Sequence, residues 1–198
     1  MDAASTLQTT GIGSITLNGT RGSSLNSSGI LLRGPRISSV DGDIILTGSG
    51  NGTGEGIYLF SNAVVESTGT GSITMTGTGV NGTSSNIGIF VDNTSTVRSL
   101  NGNISLTGTG SGTGSDNTGI NINGTSIVRW TGAGNITLNG TGGNGTFNNT
   151  GISIDNTSIV ESTVAGNITL NGTGGNWTFN NPGISINSST VRSATLQH

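Results

Sequence analysis

Residues 13–19 read Gly-Ser-Ile-Thr-Leu-Asn-Gly, and the phrase returns five more times: GDIILTG at 42–48, GSITMTG at 71–77, GNISLTG at 102–108, and GNITLNG at both 134–140 and 166–172. The lead isoleucines Ile15, Ile44, Ile73, Ile104, Ile136 and Ile168 are spaced 29, 29, 31, 32 and 32 residues apart. Self-similarity at a period near 31 marks an array in which one supersecondary unit is repeated. Inside each phrase apolar and polar residues alternate, the period-2 pattern of a strand with one buried face.

Each repeat carries two more short motifs. The second is Gly-Ile-x-aliphatic, at Ile30/Leu32, Ile57/Leu59, Ile89/Val91, Ile120/Ile122, Ile152/Ile154 and Ile184/Ile186. The third is built on a β-branched residue: Ile37, Val65, Val97, Val128, Val160 and Val191. Leu7 lies eight residues before Ile15, as Val160 lies eight before Ile168, and so reads as the third motif of a preceding, partial repeat. Gly/Asn/Thr/Ser stretches such as residues 141–146 separate the motifs and read as turns and loops.

Three strands this short cannot bury an apolar face alone. Stacked repeat upon repeat, each pairs in parallel with its equivalent about 4.8 Å away, and the aliphatic residues form a continuous core. The expected fold is all-β: one right-handed parallel β-helix (a solenoid) over residues 1–198, with three short strands per coil. Residues 1–12 form a partial coil and residues 13–198 form about six coils of 29–32 residues, a rod about 29 Å long. The right hand follows from the preference of parallel crossovers. A sandwich needs longer strands and produces no fixed period near 31.

Composition agrees. Gly (37), Thr (32), Ser (27) and Asn (24) make up 120 of the 198 residues. All four are poor helix formers, which excludes a helical fold. Gly keeps no every-third period and there are only two Pro, which excludes collagen. Disorder is disfavoured because only 8% of residues are charged and the aliphatic residues are periodic. No apolar run approaches the roughly 20 residues of a membrane-spanning helix, so no membrane insertion is expected. Net charge is −3, and all six cations are scattered Arg, which disfavours nucleic acid as a partner. There is no Cys, so disulfides, thiolate metal sites and Cys nucleophiles are excluded together. Residues 1–5 show no signal-peptide pattern.

The run GNITLNGTGGNGT, followed by NTGISIDNTSIVES, resembles the filamentous-haemagglutinin-like, β-strand-repeat exoproteins of bacteria, cyanobacterial ones in particular. The resemblance covers essentially the whole chain. It implies an extracellular or cell-surface, secreted structural rod with an adhesin-like role, and it supplies no catalytic residues. The chain stops near a repeat boundary, with His198 where Asn167 falls, and begins inside a coil, as a piece of a longer protein would. Ends without caps present unpaired strand edges. The expected partner is therefore the chain itself, stacked head to tail into filaments, with Leu7 of one copy lying on the coil that ends at Val191 of another.

Several side-chain rows are candidates for more. After the third motif run Gln8, Ser38, Glu66, Arg98, Arg129, Glu161 and Arg192, expected to stack outward as a register-setting, solubilising row or to recognise an acidic glycan. Outward on the first strand lie Thr16, Ile45, Thr74, Ser105, Thr137 and Thr169; such a face suits ice or a crystalline polysaccharide, or simply reflects the strand preference of Thr. Outward on the second strand lie Leu31, Tyr58 and Phe90, with Phe60 beside them, either a lateral contact site or a cluster that loops cover. Leu25, Phe147 and Phe179 are expected to fold over the coil from their loops. Trp130 and Trp177 read as packing or loop-surface residues rather than sugar platforms.

Chemistry-bearing groups are sparse. Asp41 and Asp43 are the one close carboxylate pair and read as turn residues, and His198 is the one histidine. Convergent acids or a triad are therefore not expected, no cofactor or metal is implied, and a polysaccharide-cleaving enzyme is disfavoured. Sixteen Asn-x-Ser/Thr sequons, Asn51 and Asn81 among them, follow from the composition.

Overall fold

The computed structural model describes residues 1–22, 27–50, 54–80, 82, 84–164, 166–176 and 179–194. Leu25, Asn51, Asn81, Trp177 and His198 lie outside the described residues. The chain is a parallel β-solenoid of three sheets, one strand from each per coil. The first sheet contains Ile15–Thr20, Ile44–Ser49, Ile73–Thr78, Ile104–Thr109, Ile136–Thr141 and Ile168–Thr173. The second contains Ile30–Arg33, Ile57–Phe60, Ile89–Val91, Ile120–Ile122, Ile152–Asp155 and Ile184–Asn187. The third contains Thr6–Gln8, Arg36–Ser39, Val64–Ser67, Thr96–Ser99, Ile127–Trp130, Ile159–Ser162 and Thr190–Ser193.

Register follows the sequence motifs residue for residue. Ile104, Ile136 and Ile168 are Cα partners in turn, as are Val97, Val128 and Val160. Leu7 pairs with Ile37, so the partial repeat is a real strand of the third sheet. The inward residues of the middle coils are fully buried: Ile73, Ile89, Ile104, Leu106, Ile120, Val128 and Ile136 are each 0% exposed. Each such side chain removed from water contributes roughly 1.5–3 kcal/mol. Trp130 joins the core at 1% exposure, where the other coils carry Ser67, Ser99 or Ser162.

The closing glycine of the first motif and the glycine that opens the second have one shared cause. Where the first sheet turns toward the second, a Cβ on Gly48 would meet the Gly56 carbonyl oxygen at 2.1 Å, and one on Gly108 would meet that of Gly119 at 2.1 Å. The two backbones touch there, and only Gly allows it.

Polar residues are organised along the axis as well. The residue before each lead isoleucine forms a ladder in which a backbone N–H donates to the side-chain oxygen one coil earlier: Asp43 to Ser14, Ser72 to Asp43, Asn103 to Ser72, Asn135 to Asn103 and Asn167 to Asn135, at 2.8–3.2 Å. A second ladder is buried at the corner before the second sheet. Asn86 Nδ2 donates to Asn117 Oδ1 at 2.7 Å, Asn117 Nδ2 to Asn149 Oδ1 at 2.9 Å, and Asn149 Nδ2 to Asn181 Oδ1 at 3.3 Å. The backbone N–H groups of Asn86, Asn117 and Asn149 donate to the same oxygens. Much of the Asn in this chain is therefore structural.

Candidate functional site

With the interior filled, what the protein can offer a partner lies on its three outer faces and two ends. On the third sheet the row Gln8, Ser38, Glu66, Arg98, Arg129, Glu161, Arg192 is in register as expected. The expected outward, solvated row is corrected at its two carboxylates, because Glu66 is 0% and Glu161 2% exposed. Each is clamped by two arginines from the neighbouring coils. Arg98 Nε donates to Glu66 Oε2 at 2.6 Å while Arg36 pairs with Oε1. Arg192 Nε donates to Glu161 Oε2 at 2.8 Å while Arg129 Nε donates to Oε1. The sequence pattern does not mark Arg36, because it sits two residues upstream of the row and reaches it diagonally.

Burial alone would raise the Glu161 carboxyl, but the hydrogen bonds from Arg192 and Arg129 outweigh it and hold the group below the ordinary 4.5. The like pair Arg98 and Arg129 is tolerated because each turns to the carboxylate on its other side. Four arginines and two glutamates leave this face net positive on a chain of net charge −3. A cavity of about 260 Å³ is lined by Arg98, Arg129, Ser99 and Thr131 and also by Glu66, Ser67, Thr68 and Leu100.

On the second sheet the structure brings Leu31, Tyr58, Phe60 and Phe90 together. Tyr58 and Phe90, in-register neighbours, stack with centroids 4.9 Å apart and planes 5° from parallel, and Phe60 lies 5.4 Å from Tyr58. The Tyr58 and Phe90 faces therefore cover one another along the rod axis, and the cluster presents ring edges as a ridge. Leu31 is 36% exposed and the three rings are half-buried, so the cluster keeps part of its surface open. Tyr58 Oη donates to Asp92 Oδ2 at 3.5 Å. Burial, with Asp92 and Glu55 nearby, pushes its hydroxyl from 10.0 up to about 12.

On the first sheet Thr16, Ile45, Thr74, Ser105, Thr137 and Thr169 form the expected row, with Ser105 and Thr137 half-buried and the rest exposed. Ile45 breaks its polarity. Asp41 and Asp43 spend their carboxylates on the next coil: Asp41 Oδ1 accepts from the Thr70 N–H and hydroxyl at 3.0 Å, and Asp43 Oδ1 from the Ser72 N–H at 2.8 Å. Among the described residues no group of three or more His, Cys, Asp or Glu could hold a metal ion. No described helix is long and apolar enough to cross a membrane.

One expectation fails at the loops. Phe147 and Phe179 do not fold over the coil; they are 48% and 73% exposed and align with each other in an isolated parallel bridge. Their loops stack in the same manner as the strands, so the phenylalanines are held one above the other outside the core.

At the ends, Leu7 and Val191 are both half-buried against the core, at opposite extremes of the third sheet. Ile184 and Ile186 are 40% and 48% exposed, whereas their partners Ile152 and Ile154 are 0%. Among the described residues, Ile168–Thr173, Ile184–Asn187 and Thr190–Ser193 pair on one side only. Compared with protein families, curated proteins and solved structures, the chain matches none, so its faces are read from their own geometry.

Proposed function

We propose that this chain is a non-enzymatic structural rod, a segment of a secreted, adhesin-like cell-surface protein, whose copies associate end to end. The carrying observation is the pair of terminal edges: among the described residues three strands at one end pair on one side only, around exposed Ile184 and Ile186 and half-buried Ile168 and Val191. Such an edge is a template for another strand. At the other end Thr6–Gln8, with Leu7, and Ile15–Thr20 supply matching parallel edges in the third and first sheets, while on the second sheet the Met1 ammonium already donates to the Leu31 carbonyl and the Met1 carbonyl accepts from the Arg33 N–H. Electron microscopy of the concentrated chain tests this, with unbranched filaments of rod width expected. Uniform single rods at all concentrations, pH and salt would contradict it.

A second reading is favoured by the third sheet. The net positive face and the cavity beside Arg98 and Arg129 suit an acidic polysaccharide. Retention on a sulfated dextran column, lost in Arg98→Gln/Arg129→Gln, would support it. Equal retention of both proteins would remove it.

A further inference from the structure

We propose that the ridge on the second sheet is the contact surface of an antiparallel dimer of this chain, formed side by side and independently of any stacking at the ends. The ridge carries a charge order along the rod axis. Phe60 has Arg33 as its in-register neighbour on the coil before it. Asp92 occupies the same strand position on the coil after, since Tyr58 pairs with Phe90 and Leu59 with Val91. The row thus reads positive, apolar, negative at steps of about 4.8 Å. A two-fold axis parallel to the strands and passing at Phe60 reverses the rod direction and keeps each strand position. It lays Phe60 on Phe60, Arg33 on Asp92 and Asp92 on Arg33. The surface is its own complement in that orientation, as an isologous interface requires.

Two features favour a second copy as the occupant. Arg33 is exposed and makes no ion pair among the described residues. Ring edges in an otherwise polar face offer area that loses water without further ordering, because Tyr58 and Phe90 are already fixed by their stacking. Glu55, at the other end of the strand from Phe60, accepts a hydrogen bond from Ser28 Oγ at 2.7 Å and faces its own copy across the axis. That like-charge contact opposes the dimer. Four apolar side chains and their flanking charges are smaller than the roughly 800 Å² per partner of a stable interface, so the dimer is weak, in the micromolar range.

Sedimentation equilibrium of the chain from about 1 µM to 1 mM should show concentration-dependent dimers, a window that brackets such an affinity. Arg33→Asp alone, and Asp92→Arg alone, should each weaken the dimer at least tenfold, because every lost pair is counted twice by symmetry. Mixed one to one, the two variants should pair with each other at near-parental affinity. The introduced carboxylate of one then faces the introduced guanidinium of the other, while the unchanged Asp92 and Arg33 still face each other. Glu55→Gln should tighten the parental dimer. Melting curves read by circular dichroism should match the parent for Arg33→Asp and Glu55→Gln, and Asp92→Arg should still melt cooperatively but at a somewhat lower temperature, because it gives up the hydrogen bonds from Tyr58 and Asn123. A chain that stays monomeric throughout overturns the proposal. So does a dimer indifferent to Arg33→Asp, or two variants that fail to pair on mixing. End-to-end stacking also passes through a dimer but runs on to longer species, and Arg33 lies on a terminal strand of the second sheet. Asp92→Arg, two coils in from that end, together with the recovery on mixing, responds only to the side-by-side contact, so the two proposals fail separately.

Discussion

The first two coils and the last four share one core and differ at the corner that leads into the second sheet. From Ile73 onward, the lead isoleucine and the second-motif isoleucine are always 16 apart: Ile73 and Ile89, Ile104 and Ile120, Ile136 and Ile152, Ile168 and Ile184. In the first two coils the separations are 15 (Ile15, Ile30) and 13 (Ile44, Ile57). The constant separation coincides with the buried ladder of Asn86, Asn117, Asn149 and Asn181. Coil two has Gly54 at that corner, and the ladder's last acceptor, Asn86 Oδ1, is left without a partner there. The aromatic ridge starts in the early coils with Leu31, Tyr58 and Phe60 and ends in the first coil of the ladder with Phe90. The aliphatic column tolerates either corner, while side-chain amides that must reach one another from coil to coil fix the length of the loops that hold them.

The column is common to both regions, so disrupting it should cost the most. Val128→Asp places an unpaired charge at a 0% exposed position between Val97 and Val160. The expected loss is at least about 4 kcal/mol, enough to abolish the cooperative melt seen by circular dichroism. Next come the corners, where the two regions should respond differently. Asn117→Ala strands two buried donors of Asn86 and should cost about 2–5 kcal/mol in a denaturant titration. Gly54→Asn extends the sequence pattern but not the ladder, because a Cβ there would meet the Ser27 carbonyl oxygen at 2.0 Å. It should destabilise by about 1–3 kcal/mol; a gain in stability would mean that the two corners are interchangeable.

Smaller effects distinguish the faces by pH. The Glu161 carboxyl is held below 4.5 in the folded chain, so its contribution is present above pH 4.5 and is lost as the pH falls through the lowered value. Glu161→Gln should melt at a lower temperature than the parent at pH 7, and the gap should narrow in acid. Tyr58 shifts the other way. With the hydroxyl raised from 10.0 to about 12, its contribution is intact below pH 10 and declines as the pH climbs toward 12. Tyr58→Phe should flatten the alkaline fall in melting temperature, the smallest change of the set.

The parts legible in the sequence are those fixed by period. Isoleucines 29–32 residues apart have one way to bury themselves together, so strands, register and core follow from spacing, including the partial strand at Leu7. The polar architecture is harder to read. With 24 Asn in the chain, composition hides which amides lie inside, although Asn-x-Gly-Ile at residues 86, 117, 149 and 181 is a signal. The clamps on Glu66 and Glu161 depend on how far an Arg side chain reaches across coils, as Arg36 shows. Phe147 and Phe179 sit on loops, where hydrophobicity alone does not decide whether a ring turns in or out. Tyr58, Phe60, Phe90 and Leu31 are legible because alternation in a strand assigns each side chain a face.

The central claim is that equivalent positions rise by one strand spacing per repeat, whatever the repeat length. Because the chain has no native Cys, nitroxide labels can be placed in pairs on the outward row of the first sheet. Thr16 would be labelled with Thr74, with Thr137 and with Thr169 in turn, and the distances measured by pulsed electron resonance. Stacked coils predict separations growing by about 4.8 Å for each intervening coil, from roughly 10 Å to roughly 24 Å plus a constant label contribution. Distances that do not lengthen in step with repeat number, or broad distributions at every pair, would contradict it.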